Sequence, residues 1–206
     1  MRNFLTLFYK AVRLVYNIFR FKANYCFTWF LFLFNGVKFQ NFETKGIPYV
    51  MIARGGKCSI GSDLKMNNYL LGNPIGRPQA CVFFVDNHAV LEIGTNLGIS
   101  SAAIIAHLHI SIGDNVKLGG GVCIYDTDFH SLDKANRIDP LLDKKFTKRL
   151  PVVINNNAFI GAHSTILKGV TIGENSIIGA CSVVTKSVPP NEVWGGNPAK
   201  FIKKLS

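Results

Sequence analysis

Apolar and polar positions along the chain follow two different periods. From Asn3 to Arg20 the polar residues are Asn3, Thr6, Lys10, Arg13, Asn17 and Arg20, in steps of 3, 4, 3, 4 and 3, with only apolar residues between them. Such steps trace one narrow polar stripe along a helix whose remaining circumference is apolar. Beyond residue 90 the period becomes six. Ile154, Ile160, Ile166, Ile172, Ile178 and Val184 recur without a break. An earlier set runs Ile93, Ile99 and Ile105, then Ile112, Leu118 and Ile124, with one extra residue between Ile105 and Ile112. Upstream, Ile60-Gly61 reads as an isolated, degenerate unit.

A helix repeats every 3.6 residues and a strand every two, so neither produces a period of six. A triangular coil does, with one short strand per side and one inward aliphatic residue per repeat. Gly161, Gly173 and Gly179, with Ala158, Ser164, Val170, Ser176 and Ser182, suit the tight corners of such a coil. An ordinary parallel sheet would need crossovers of about a dozen residues, for which the repeat leaves no room. The predicted fold is therefore mainly β, a parallel β-helix. Residues 1–45 form a helical arm and residues 46–188 the β-helix, with a loop inserted at 125–150. A basic tail follows at 189–206.

Composition narrows the function. With 48% apolar and 17% charged residues in 206, the chain is neither disordered nor an acidic solvating protein. Lys+Arg 23 against Asp+Glu 12 leaves +11, a bias toward polyanions: nucleic acid, anionic lipid or nucleotide phosphates. Residues 1–50 carry +6 of it. Lys10, Arg13, Arg20 and Lys22 interrupt the apolar run, so neither a membrane span nor a signal peptide is expected. Cys26, Cys58, Cys81, Cys123 and Cys181 are an odd, scattered set without a CxxC pair, which fits a reducing, cytoplasmic setting. The arm must be covered by its own body, by a sister subunit or by a membrane surface. The basic stripe favours an interfacial helix on the inner face of the cytoplasmic membrane, with residues 1–35 removable and the β-helix still folded.

The repeat stops at Ile124 and resumes at Ile154, and a loop that interrupts a rigid solenoid is a natural place for chemistry. The loop holds His130, a suitable proton acceptor near neutral pH. Asp126, Asp128 and Asp133 lie close enough in sequence to orient its ring. Of the other histidines, His107 and His109 could share a strand face and bind zinc, but no third ligand stands at a suitable spacing. His163 is expected to point outward from a coil.

The tandem [LIV]-G-x-x-[SAV]-x pattern and the closing Trp194-Gly195-Gly196-Asn197-Pro198-Ala199-Lys200 resemble the hexapeptide-repeat acyltransferases. The nearest branch is that of galactoside, maltose and polysaccharide O-acetyltransferases. The resemblance is strong over residues 91–204 and weak over 46–90. It implies a left-handed β-helix, a homotrimer, acetyl-CoA as co-substrate, no metal and no nucleic-acid partner. Its expected acceptor is a sugar or glycan hydroxyl in surface polysaccharide biosynthesis. The branch's loop pattern is His-Pro-x₅-Arg, with the histidine as base. His130 and Arg137 keep the seven-residue separation, while Ser131 replaces the proline. Carried over by motif position, Ala162, Ala180 and Thr185 would follow the pantetheine arm. Lys186, Lys200 and Lys203 would meet the phosphates. An N-acetyltransferase of a nucleotide-linked amino sugar, a serine O-acetyltransferase, a zinc carbonic anhydrase and a non-catalytic scaffold are the alternatives.

Overall fold

The computed structural model describes residues 2–69, 73–74 and 78–205, with side chains from Phe4 onward; the stripe's Asn3 side chain lies outside the described set. The chain opens with helix α1 (Arg2–Phe34), which contains neither proline nor glycine. It ends in a Schellman motif. Gly36 takes φ +67, its N–H donates to the Leu33 carbonyl at 3.0 Å, and the Val37 N–H donates to the Phe32 carbonyl at 3.0 Å.

The chain then winds into a triangular coil with three parallel faces. The first face stacks Lys38–Phe39, Lys57–Ile60, Val90–Ile93, His109–Ile112, Val152–Ile154 and Thr171–Ile172. The second stacks Phe42–Lys45, Leu64–Asn67, Gly98–Ser100, Lys117–Leu118, Phe159–Ile160, Ile177–Ile178 and Glu192–Gly195, with Lys200–Lys204 antiparallel at its edge. The third stacks Tyr49–Ile52, Val82–Val85, Ala103–Ala106, Cys123–Tyr125, Thr165–Ile166 and Val183–Val184.

Each face contributes at least one inward column to the core. Ile60, Ile93, Ile112, Ile154 and Ile172 stack on the first. Met66, Ile99, Leu118, Ile160 and Ile178 stack on the second. Phe83, Ile104, Ile124, Ile166 and Val184 stack on the third, all 0% exposed. Cys58 and Cys81 lie among these residues as small apolar side chains, and burial pushes both thiols up to about 12.

The corners explain the small and amide residues. At the corner from first to second face, Asn96, Asn115, Asn157, Asn175 and Asn191 all adopt positive φ, between +55 and +61, which asparagine tolerates better than most residues. Their amides bond from coil to coil, as from Asn157 to Asn175 at 3.0 Å and from Asn175 to Asn191 at 2.8 Å. Gly161 is required by close approach, since a Cβ there would lie 2.5 Å from the Ala180 backbone nitrogen.

Three expectations are corrected. The inward residue of the third face is Ile104, not Ile105, which pairs beside Tyr125 on the outward side. A slip of one residue exchanges the two faces of a strand, and the extra residues form the corner at His107–Leu108 instead. The arm does not reach residue 45, because coil strands already run at 38–39 and 42–45. The described strands between residues 38 and 85 already pair as coils, in strands of up to four residues whose burial alternates rather than repeating every six. Finally, the tail folds back as a strand on the second face.

α1 and the coils meet at the open end of the solenoid. Phe32 is 0% exposed and packs its ring against Phe39 at 5.2 Å, Phe42 at 5.3 Å and Phe83 at 6.1 Å. The last turns of α1 therefore act as the cap that a repeat stack needs over its terminal apolar layer. Residues 1–35 are consequently not all removable.

Candidate active site

The loop between Tyr125 and Val152 leaves the third face through a short two-stranded neck. Thr127 bridges Arg149 antiparallel, the Asp128 N–H donates to the Lys148 carbonyl at 3.0 Å, and the Leu150 N–H donates to Asp126 at 3.0 Å. Beyond the neck lie two short helices, α2 (Lys134–Ile138) and α3 (Pro140–Phe146). Asp133 caps α2 by accepting from the Ala135 N–H at 2.9 Å. Asp139 caps α3 by accepting from the Leu141 N–H at 2.8 Å, with Pro140 set for the first turn.

His130 projects from this loop with its side chain 70% exposed. Its Nδ1 lies 2.7 Å from Oδ2 of Asp143, in the first turn of α3. The other oxygen of Asp143 accepts the Ser131 N–H at 2.6 Å. These two bonds, the histidine's first and the backbone N–H second, hold the Asp143 carboxyl below the usual carboxylate range. An ionised carboxylate only accepts, so Nδ1 is the donor of this bond, and the tautomer that fits it has its lone pair at Nε2.

The expected supporting residues are placed as follows. Arg137 Nη1 donates to the Ser131 carbonyl at 2.8 Å and so braces the backbone next to His130. Asp126 does not reach the ring. It is fully buried and accepts the N–H groups of His107, Leu108 and His109 at 2.7, 2.7 and 2.8 Å, which locks the corner beneath the loop. Asp128 pairs with Lys168 at 2.6 Å. The acid that orients His130 is thus Asp143, which sequence proximity did not single out. Asp139-Pro140 announces a helix start, but nothing local shows that this helix folds back over His130.

Ser131, where the resembled pattern has proline, supplies the N–H that anchors Asp143. Proline has none. Beneath the loop lies a cleft of about 300 Å³ whose lining includes Asp86, His107, Phe129, Asp143, Lys144 and Arg149. His107 Nδ1 meets Asp86 at 2.9 Å, whereas His109 Nε2 meets Glu92 at 3.0 Å, so the two histidines serve different carboxylates. His163 stands on a corner with φ +61, in a regular repeat.

Of the residues proposed for the coenzyme, Ala162 and Ala180 stack one coil apart on the corner between second and third faces, joined through the Cys181 N–H to the Ala162 carbonyl at 2.8 Å. Lys200 pairs opposite Gly195 and Lys203 opposite Val193, and both are exposed on the edge strand. Thr185 and Lys186 are exposed immediately after the Val183–Val184 strand.

The family model described as "Bacterial transferase hexapeptide (six repeats)" matches residues 151–186. Protein CapG of Staphylococcus aureus is 45% identical over 100 residues, covering 47% of this chain and 50% of CapG. The galactoside O-acetyltransferase of Escherichia coli (strain K12) is 36% identical over 120 residues, covering 56% of this chain and 55% of that protein. The chain thus spans about half the length of these curated relatives. Among solved structures, a galactoside acetyltransferase in complex with coenzyme A matches 82% of this chain and 64% of its own, at a TM-score of 0.54 and 27% identity. The repeats and this likeness identify the coil as the left-handed β-helix of hexapeptide-repeat proteins.

Proposed function

We propose that this chain, a hexapeptide-repeat left-handed β-helix, is an acetyl-CoA-dependent O-acetyltransferase that acts on a sugar or glycan hydroxyl. The observation that carries the reading is His130, held at Nδ1 by Asp143 in the loop that interrupts the repeat. In this reading Nε2 accepts the proton of the acceptor hydroxyl as its oxygen attacks the acetyl carbonyl. The same nitrogen then returns a proton to the departing thiolate, so no covalent enzyme intermediate is needed. Asp143 keeps Nδ1 protonated and stabilises the imidazolium formed in between, as the buried acid does in other acid–histidine pairs.

The acceptor assignment draws on the cleft below the loop. Its carboxylates, cations and the Phe129 ring suit a molecule with many hydroxyls and one apolar face. The named relatives point to the same class, one being a galactoside O-acetyltransferase. For acetyl-CoA, the corner carrying half-buried Ala162 and exposed Ala180 would follow the pantetheine arm. Lys186, Lys200 and Lys203 supply positive charge for phosphates. Thr185 stands next to Lys186 on the same edge.

The test is thiol release from acetyl-CoA across a panel of mono- and oligosaccharides. His130→Ala is expected to lower turnover by about 10²–10⁴-fold with little change in acetyl-CoA affinity. His163→Ala serves as the control. Near-normal turnover in His130→Ala would remove His130 as the base.

A further inference from the structure

The first two thirds of α1 stand clear of the coils. Phe4, Leu7, Phe8, Leu14, Val15 and Phe19 are between 53% and 70% exposed. Toward its end the helix settles on the solenoid along one row: Arg20 and Asn24 are half-buried, and Thr28 and Phe32 are 0% exposed. Followed backward at 3.6 residues per turn, that row continues through Asn17, Arg13, Lys10 and Thr6. The polar stripe thus lies on the body side of the helix, and the broad apolar surface faces away from the β-helix.

From this placement we infer that α1 is a surface anchor that lies in the headgroup layer of an anionic lipid bilayer, with its outward apolar face among the acyl chains. Two observations select this occupant. The first is charge. Lys10, Arg13, Arg20 and Lys22 stand on α1 with no acid on the helix, and Glu43 is the only acidic residue before Asp63. A second copy packed on the same face brings an α1 equally free of acids, and so no countercharge. An anionic headgroup layer supplies the missing countercharge instead. The second is orientation. With the stripe on the body side, an embedded helix leaves its cations at headgroup level and the β-helix in water. Among the described residues no helix is long and apolar enough to cross a membrane, so α1 would lie along the surface, over about 50 Å. The inference is independent of the proposed acetyl transfer.

Sedimentation of the full chain with phosphatidylcholine–phosphatidylglycerol vesicles tests it, beside pure phosphatidylcholine vesicles. Strong binding to the mixed vesicles that weakens with added salt is expected. Lys10→Gln with Arg13→Gln should lower that binding about tenfold or more. Phe8→Ser with Val15→Ser, both at exposed positions, should weaken binding to either vesicle and leave thermal unfolding unchanged. Absence of binding to mixed vesicles at low salt overturns the inference. So does a Phe8→Ser/Val15→Ser protein that drops in oligomeric mass while binding vesicles normally, which would make a second copy the occupant.

Discussion

Ser131 shows how one backbone group can decide the geometry of a site. Its N–H and the His130 ring divide the two oxygens of Asp143, so the carboxylate is held from both sides. Ser131→Pro should therefore release Asp143 and lower turnover, whereas Ser131→Ala keeps the N–H and should stay close to normal. Steady-state kinetics with acetyl-CoA separates the two. The pH dependence follows from the lowered Asp143 value. A depressed carboxyl stabilises the loop above its unfolded value, about 3.9, and that contribution is lost as pH falls through the lower folded value. The Ser131 amide resonance should hold its position to about pH 4 and move only below it. A shift in the neutral range would show that Asp143 is not its partner.

At the scale of the element, α1 divides into two parts with different physics. Its last turns cap the coil through Phe32, which touches aromatic rings on three strands. Phe32→Ala leaves a cavity over the terminal layer and should cost about 3–5 kcal/mol in stability. Deleting residues 1–18, whose described side chains are mostly exposed, should leave thermal unfolding almost unchanged. Denaturation of the two proteins side by side checks the division, and equal losses would contradict it. The loop helices differ again. Neither α2 nor α3 buries a residue, so their place rests on the Asp133 and Asp139 caps, on the neck at Thr127 and Arg149, and on the Asp143 bonds.

For the whole molecule, the exposure of His130 bears on assembly. As the proposed base, His130 is 70% exposed on a single chain and lacks the dry wall that acyl transfer to a hydroxyl would need against competing water. A homotrimer in which a neighbouring β-helix flanks the loop would provide it, around a threefold axis along the coils. Multi-angle light scattering should return three times the 22.7 kDa chain mass. A stable monomer at assay concentration, with full activity, would mean that one chain builds the site alone.

The repeat from Ile154 to Val184 was legible because a period of six has a single structural solution, and each inward aliphatic recurs in register with its neighbour one coil away. The basic stripe, the interrupting loop, His130 and its spacing to Arg137 were legible for the same reason, since all are local patterns. Tertiary structure decided the rest. The coil strands at 38–45 were assigned to the arm, since strands buried in alternation carry no six-residue signature, and the true inward residue at Ile104 depended on a corner locked by Asp126 from the next coil. Asp143 became the partner of His130, thirteen residues away, only through the fold-back of α3. The side of α1 that faces the body was set by Phe32 entering the open end of the core. Periodicity records what repeats along the chain, whereas these contacts join residues that no repeat relates.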